Sequence, residues 1–289
     1  MIKIGFIGAG AVTNALATTL NSKGYPVVAV SSRNLQSADR LARLIKGCRS
    51  CSNQEVADTA ELVFITTPDD VIASVVADVK WRPGQSVVHC SGADSTDILA
   101  PAREAGTNIG AFHPLQTFIG LRQENLPGIT YALEASEPLL TILRDMTTAL
   151  GGHWIELKAG DKVLYHTAAV FACNYLITLF KIATDLWQSF GIPPQQATRA
   201  LLPLLQGTIN NIDSTGIPQC LTGPIARGDS GTIKKHLKAL QNVAPELITI
   251  YKELGLQTIP IALAKGRIDN EHADELQAIL SQPAERKAK

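Results

Sequence analysis

At 289 residues the chain has length for about two domains and for a core that needs no disulfide or metal to hold it. Its 26 Lys and Arg balance 26 Asp and Glu, so the electrostatic footprint of a general nucleic-acid or acidic-surface binder is missing and the expected partners are small molecules and protein. Charged residues make up 18% and hydrophobic ones 45%, against a usual charged share of about 25%. That surplus of apolar residues predicts an oligomer.

Ile2 to Gly8 is a short apolar run stopped by glycine and reads as a buried strand. Ala11 to Ser22 has helical spacing (Val12, Ala15, Leu16, Leu20) and closes at Gly24 and Pro26 before a second β-branched run, Val27 to Val30. The rhythm continues with a helix at Leu35 to Ile45, strand at Leu62 to Thr66, helix at Asp69 to Val79, strand at Ser86 to Cys90 and helix at Ser95 to Ala105. A further strand ends at Ala111-Phe112. Strands alternating with helices predict a doubly wound parallel α/β sheet, covered on both faces, with ligands at the carboxyl ends of its strands. A hairpin-like or edge region follows, Ile129 to Leu133 and then Trp154 to Leu157, after which β patterning stops. The remainder predicts an all-α domain. Its first helix, from about Asp161 to Phe190, is apolar on nearly all sides, and others span Pro194 to Ile209, Ser230 to Leu240, Pro245 to Leu254 and Asn270 to Leu280. The expected domains are 1–157 and 158–282, with 283–289 a solvated, flexible tail.

Gly8-Ala9-Gly10-Ala11-Val12 lies where the first strand turns into the first helix. Glycines there let the backbone approach a pyrophosphate, and free helix N–H groups bind it. The third glycine of the usual G-x-G-x-x-G pattern is Thr13, which predicts a less close strand–helix contact. The second strand ends in Ser31-Ser32-Arg33-Asn34, where a carboxylate reading the ribose of NAD is usual. None is present; Arg33 can grip a 2′-phosphate while Ser32 and Asn34 hydrogen-bond to it, which favours NADP(H) over NAD(H). Thr66, Thr67 and Pro68 end another strand and should run beside the cofactor. Ser91 and Gly92 offer a hydroxyl and a backbone N–H near the nicotinamide. His113, at the end of the last strand, is either a general acid near neutral pH or a hydrogen-bonded structural histidine. His89 reads as a core histidine.

Within the long helix, Thr167, Asn174 and Lys181 recur at intervals of seven, and Lys162 and His166 stand four apart on a neighbouring stripe. Asn174 is either a clamp between helices or a substrate contact. Leu221 to Asp229 (LTGPIARGD) is a glycine-rich loop in which Arg227 and the following helix N-terminus would hold a carboxylate, or which is an ordinary turn capped by Asp229. The longest uncharged apolar run, Thr167 to Phe180, is short for a membrane span and reads as a core helix. Five cysteines (Cys48, Cys51, Cys90, Cys173, Cys220) with no leader before the first strand predict a reduced, cytoplasmic chain. Cys48-x-x-Cys51 lacks two further ligands at matching spacing and reads as two loop thiols, with no metal expected.

Taken in order, GAGAVT, SSRN, HCSGAD, AFHPLQTF, YHTAAVFACN and LTGPIARGD resemble a bacterial group of NADP-type oxidoreductases of unassigned substrate, with a Rossmann domain and a C-terminal domain of unknown function. More distantly the chain is similar to the 6-phosphogluconate dehydrogenase-like superfamily, which includes pyrroline-5-carboxylate reductase, ketopantoate reductase and prephenate dehydrogenase. The resemblance implies a Rossmann domain followed by an all-α domain that builds a homodimer and completes the active site. It aligns Asn174 with the asparagine of the hydroxy-acid members, but their lysine four residues earlier is Val170 here. Gly228 to Leu237 resembles the carboxylate-binding loop of pyrroline-5-carboxylate reductases, and His113-Pro114 the His-Pro of prephenate dehydrogenases. The function implied is hydride transfer between NADP(H) and a small carbonyl, imine or hydroxy compound carrying a carboxylate. Ser91 and Asn174 would flank the reacting carbon, His166 or His113 would move the proton, Arg227 would orient the carboxylate, and Lys181 would be a further substrate-binding residue. The missing lysine leaves an alternative: an NADP(H)-binding sensor or regulatory protein without catalysis.

Overall fold

The computed structural model describes residues 1–119 and 126–282, so the 283–289 tail expected from the sequence lies outside the described residues. Two compact units follow one another, Met1–Asn174 and Tyr175–Lys289. In the first, the chain runs β1 (Ile4–Ile7), α1 (Ala11–Ser22), β2 (Val27–Ser31), α2 (Leu35–Leu44), β3 (Arg49–Ser50), α3 (Asn53–Thr59), β4 (Leu62–Ile65), α4 (Asp69–Asp78), β5 (Ser86–His89), α5 (Ala100–Glu104) and β6 (Asn108–Pro114). It continues through β7 (Thr130–Ala135), α6 (Leu139–Ala149), β8 (His153–Glu156) and α7 (Lys162–Ala169).

The strand order is β3-β2-β1-β4-β5-β6-β7-β8. All pairings are parallel except β6 with β7. Order reverses between β1 and β4, where a doubly wound sheet opens a ligand crevice at its carboxyl edge. The central strands are buried throughout, as continuous apolar runs require of a sheet covered on both faces. On one face an aromatic row, Phe6, Phe64, Phe112 and Tyr131, stacks with ring centroids 4.8 to 5.7 Å apart. The other face buries Ile7, Val63, Ile65 and Val87 against α3 and α4 through Val56, Ile72 and Val76.

Two parts of this unit differ from the expectation. The short strand β3 and helix α3 occupy a stretch that carries no strong periodicity; α3 starts at Ser52, whose side chain and that of Glu55 cap each other's backbone. Of the hairpin-like or edge region expected after β6, the edge is observed, since β7 and β8 end the sheet, but the connection between them is a crossover and not a hairpin. Helix α6, buried through Leu139, Leu143 and Met146, joins β7 to a parallel β8.

The division between units falls after Asn174, later than the change of patterning at Leu157, because α7 is held to the sheet by Lys162, whose Nζ donates to the Ser91 carbonyl at 2.9 Å. The predicted uniform helix over 161–190 is interrupted by a π-helical turn, Val170–Asn174, before α8 (Tyr175–Gln188). A π turn inserts an extra residue, so the Thr167–Asn174–Lys181 stripe is not continuous.

The second unit contains α8, α9 (Pro194–Thr215), α10 (Ser230–Val243), α11 (Ile248–Ala264) and α12 (Asn270–Leu280). Its core joins Ile233, Ile259, Ala262, Leu276 and Leu280. Gly255 lets α12 approach α11, since a Cβ there would lie 2.9 Å from Leu280 Cδ1. The helical stretch Ala159–Gln188 is long and apolar enough to cross a membrane by length and composition, and none of its apolar window is buried. That corrects the core helix expected from the sequence: Val163, Leu164, Phe171 and Ile177 stand about two-thirds exposed or more, and only toward its end does the stretch meet a core, through Leu186.

Candidate active site

Gly8, Ala9 and Gly10 of the predicted phosphate loop line the crevice between β1 and β4, and Ala11 and Val12 continue into the first turn of α1. Gly8 has φ +118°, and a Cβ there would stand 2.5 Å from Thr66 Oγ1. Only glycine fits both the backbone and the space. Around a Cβ at Gly10, by contrast, nothing lies within 4 Å, so that face of the turn is open to a ligand. Gly10 is the N-cap of α1 without a side-chain cap, and no acidic residue occupies the first turn, where Ala11 and Val12 lie. Free N–H groups there suit an anion. A cavity of about 520 Å³ gathers Gly8, Ala9, Gly10, Ser32, Arg33, Asn34, Thr66, Thr67 and Pro68, together with Cys51 to Asn53 from the start of α3. No Asp or Glu is among these described lining residues. The Thr67 hydroxyl is buried without a protein partner. The chemistry of this set fits a dinucleotide with a 2′-phosphate at Arg33.

Thr13 does not loosen the strand–helix contact as expected. It is fully buried, and its Oγ1 lies 2.6 Å from Thr66 Oγ1, which in turn donates to the Ile7 carbonyl. The two threonines fasten α1 to the end of β4, a structural task for Thr66 in addition to its place in the crevice.

Between the end of β6 and α7 lies a second cleft, of about 540 Å³, lined by His113, Gln116, Thr117, Tyr165, His166, Cys173 and Asn174, with Ala168, Ala169 and Ala172 supplying small apolar surface. His113 Nδ1 is 2.8 Å from the Tyr165 hydroxyl, and the two rings meet edge to face. The His113 and His166 rings stand 6.3 Å apart. Gly92 sits against both: a Cβ on it would be 2.8 Å from His113 Nε2 and 2.8 Å from His166 Cδ2. Burial, with Lys162 and His166 nearby, pushes His113 down to about 4, so its ring is neutral at pH 7. A cationic general acid near neutral pH is therefore not what this histidine provides. Burial also raises the Tyr165 hydroxyl to about 12 and keeps it protonated.

Three of the residues singled out in the sequence, His113, His166 and Asn174, line this cleft, with Asn174 at the exposed rim rather than buried in the helix. Ser91 lies behind the cleft. Its Oγ is 2.9 Å from Asp69 Oδ2 and 3.0 Å from Asp94 Oδ2, and it accepts from the Ala93 and Asp94 N–H groups. That hydroxyl secures the loop and is not presented to a substrate. Lys181 is paired with Asp185 one turn on. Arg227 is exposed, 3.9 Å from Asp229, and Asp229 caps α10 through Thr232 N and Oγ1, filling the helix N-terminus proposed for a carboxylate. His89 is buried, its Nδ1 accepting from the Ser91 N–H. The pattern reading gave no role to Tyr165 or Gln116, and noted Lys162 only as standing four residues from His166; Tyr165, beside His166 on the same apolar helix, carries a sequence signal as well. Among the described residues no metal-binding group is present.

Fold and crevice together define a Rossmann-type chain with a helical C-terminal half. A family model described as a Rossmann-like domain matches residues 1–114, and one described as a domain of unknown function (DUF2520) matches 129–258. The chain therefore carries these two domains in series. It is 25% identical over 183 residues to 2-(hydroxymethyl)glutarate dehydrogenase of Eubacterium barkeri, a match covering 60% of each protein. The chain thus spans less than two thirds of that dehydrogenase. Crystal structures with the same fold include protein TM1727 from Thermotoga maritima (TM-score 0.74, 23% identity, 92% of this chain and 100% of that one). Another is the reductive aminase of Aspergillus terreus in complex with NADPH and ethyl levulinate (TM-score 0.66, 17% identity, 96% and 99%).

Proposed function

We propose that the protein is an NADP(H)-dependent oxidoreductase acting on a small carbonyl, imine or hydroxy compound, in the cleft formed by His113, Tyr165, His166 and Asn174. The dehydrogenase and the NADPH-bound aminase support the reaction class. The observation that carries the reading is the neutral His113–Tyr165 pair beside Gly92, at the same sheet edge as the phosphate loop. NADP(H), when bound, supplies or accepts the hydride. The protein's part is the proton. With Tyr165 donating to Nδ1, the His113 ring proton resides on Nε2, the atom beside Gly92. It passes to a substrate oxygen or nitrogen as negative charge develops there; the phenol proton moves to Nδ1, and water entering the cleft returns a proton to the phenolate, which burial disfavours. His166 and Asn174 orient the reacting group by hydrogen bonds. The described lining residues include no Arg, Lys, Asp or Glu, which fits a neutral carbonyl or imine at the reacting end. The carboxylate expected from the sequence has no cationic partner among them. The helical half joins two copies into a homodimer.

Titration with NADPH and NADH followed by single-turnover hydride transfer tests this. Saturation with NADPH, at about a hundred times Kd, stabilises the fold by about 2.7 kcal/mol, read as a rise in melting temperature. A panel of ketones, imines and hydroxy acids then oxidises or reduces the bound nucleotide. Absence of NADPH binding sinks the proposal. Binding without turnover on any panel member replaces it with the sensor alternative.

A further inference from the structure

Lys162, the first residue of α7, is 1% exposed, whereas Val163 and Leu164 beside it are 67% and 75% exposed. A buried ammonium is strongly unfavourable unless its donors and charge are met. One donor reaches the Ser91 carbonyl. Glu134 on β7, Cys90 after β5, Asp94 in the loop beyond it and Asp69 at the start of α4 favour its cation against the burial that lowers its pKa. Glu134 is fixed in turn, its Oε1 accepting from Thr96 N and Oγ1. These groups explain how a lysine is tolerated there. What it does is shown by the residue it holds, because the Ser91 carbonyl immediately precedes Gly92, whose Cα faces both cleft histidines. The Ser91 hydroxyl is held from elsewhere by Asp69 and Asp94. Carbonyl and side chain are therefore both tied, and the gap between the histidines is set.

We propose that Lys162 is a positioning residue: its ammonium fixes the Ser91 carbonyl so that Gly92 seats between His113 and His166 and the His113 ring is held in its pose on Tyr165. The assignment deepens the oxidoreductase reading and rests on it for the word reaction, though not for the geometry. A charge effect accompanies it. The titratable groups around His113 are His89 on β5 and Lys162, Tyr165 and His166 on α7, and after burial Lys162 is the largest influence holding its proton affinity down.

Two variants separate hydrogen bond from charge. Lys162→Met removes both, while Lys162→Gln keeps an N–H donor for the Ser91 carbonyl. NADPH affinity, carried by the β1–β4 crevice, serves as the folding control and stays within about twofold. In the Met variant the single-turnover hydride-transfer rate falls at least about tenfold with little change in substrate KM, and the Gln variant recovers part of it. The His113 ring resonance, followed by NMR in free protein, titrates about one unit higher in both variants. In wild type the same resonance has a second inflection where Lys162 loses its proton, a readout that needs no variant to fold. A wild-type transfer rate in the Met variant overturns the proposal, as does a His113 titration unmoved in the variants and without a second wild-type inflection. If no substrate turns over, the close approach of Gly92 to the His113 ring, read as the nuclear Overhauser effect between them, is lost in the Met variant and kept in the Gln variant; its persistence in both overturns the positioning role, so failure of the oxidoreductase reading is seen separately.

Discussion

His113 and His89 show how single residues couple this site to the stability of its unit. Burial is the main cause of both shifts, pushing His113 to about 4 and His89 to about 3 from an ordinary value of 6.5. Above pH 6.5 both folded and unfolded chains carry them neutral, and their effect on stability is nil. As pH falls below 6.5 the unfolded chain takes up protons that the folded chain refuses, so stability falls progressively until the folded values are passed. His113 alone accounts for a loss on the order of 3 kcal/mol between pH 6.5 and 4. Urea unfolding at half-unit pH steps measures this directly: His113→Asn flattens the dependence over that window whatever it does to stability at pH 8. A variant as steep as wild type would show that the ring titrates normally and is not held neutral by its surroundings.

At the scale of elements, the turn from β2 into α2 is where we propose that the 2′-phosphate of the dinucleotide is read. Arg33 is the cation of the crevice beside Ser32 and Asn34, with no acid among the described lining residues. Losing a hydrogen bond to a charged phosphate costs about 1.5 to 3 kcal/mol. Arg33→Ala should therefore weaken NADPH about ten- to hundredfold in isothermal titration and leave NADH within about twofold; equal losses for the two would remove the 2′-phosphate from this turn. Motifs of this kind were legible because a β–turn–α junction writes its requirements locally: Gly8 needs a positive φ, Gly10 needs open space, and both stand in a fixed register to Arg33. The parallel α/β order was legible for the same reason, from alternating periodicity. Helix α6 and the β3–α3 pair were not, since a two-residue strand and a helix between edge strands are selected by sheet packing rather than by a strong local pattern. Lys162 was seen as a neighbour of His166, but not its burial, because a lysine on a helical stripe ordinarily faces water. Only the fold shows it turned inward onto Ser91, 71 residues away in the chain. Asp229 illustrates the reverse: the capped turn was one of two readings, and the cap is the one observed.

For the whole molecule, the low charge and high apolar content of the sequence reappear as side chains that a single chain leaves in water. In α7 and α8, Val163, Leu164 and Ile177 are each about two-thirds exposed or more, and α9 buries only Ala197 while Leu202 and Leu204 stay open. Covering a leucine or isoleucine contributes about 1.5 to 3 kcal/mol. In a two-fold contact each such residue is covered twice. We propose that a second copy of the chain covers them, so that sedimentation velocity at micromolar concentration should give twice the 30.9 kDa chain mass. Leu164→Glu and Ile177→Glu each place a charge in the contact on both copies, which should weaken association at least about hundredfold. NADPH binding in the Met1–Asn174 unit stays intact as proof that the variants fold. A monomeric wild-type protein at these concentrations defeats the dimer. Flotation of that monomer with phospholipid vesicles, lost in the same two variants, would give the apolar stretch Ala159–Gln188 to a membrane instead.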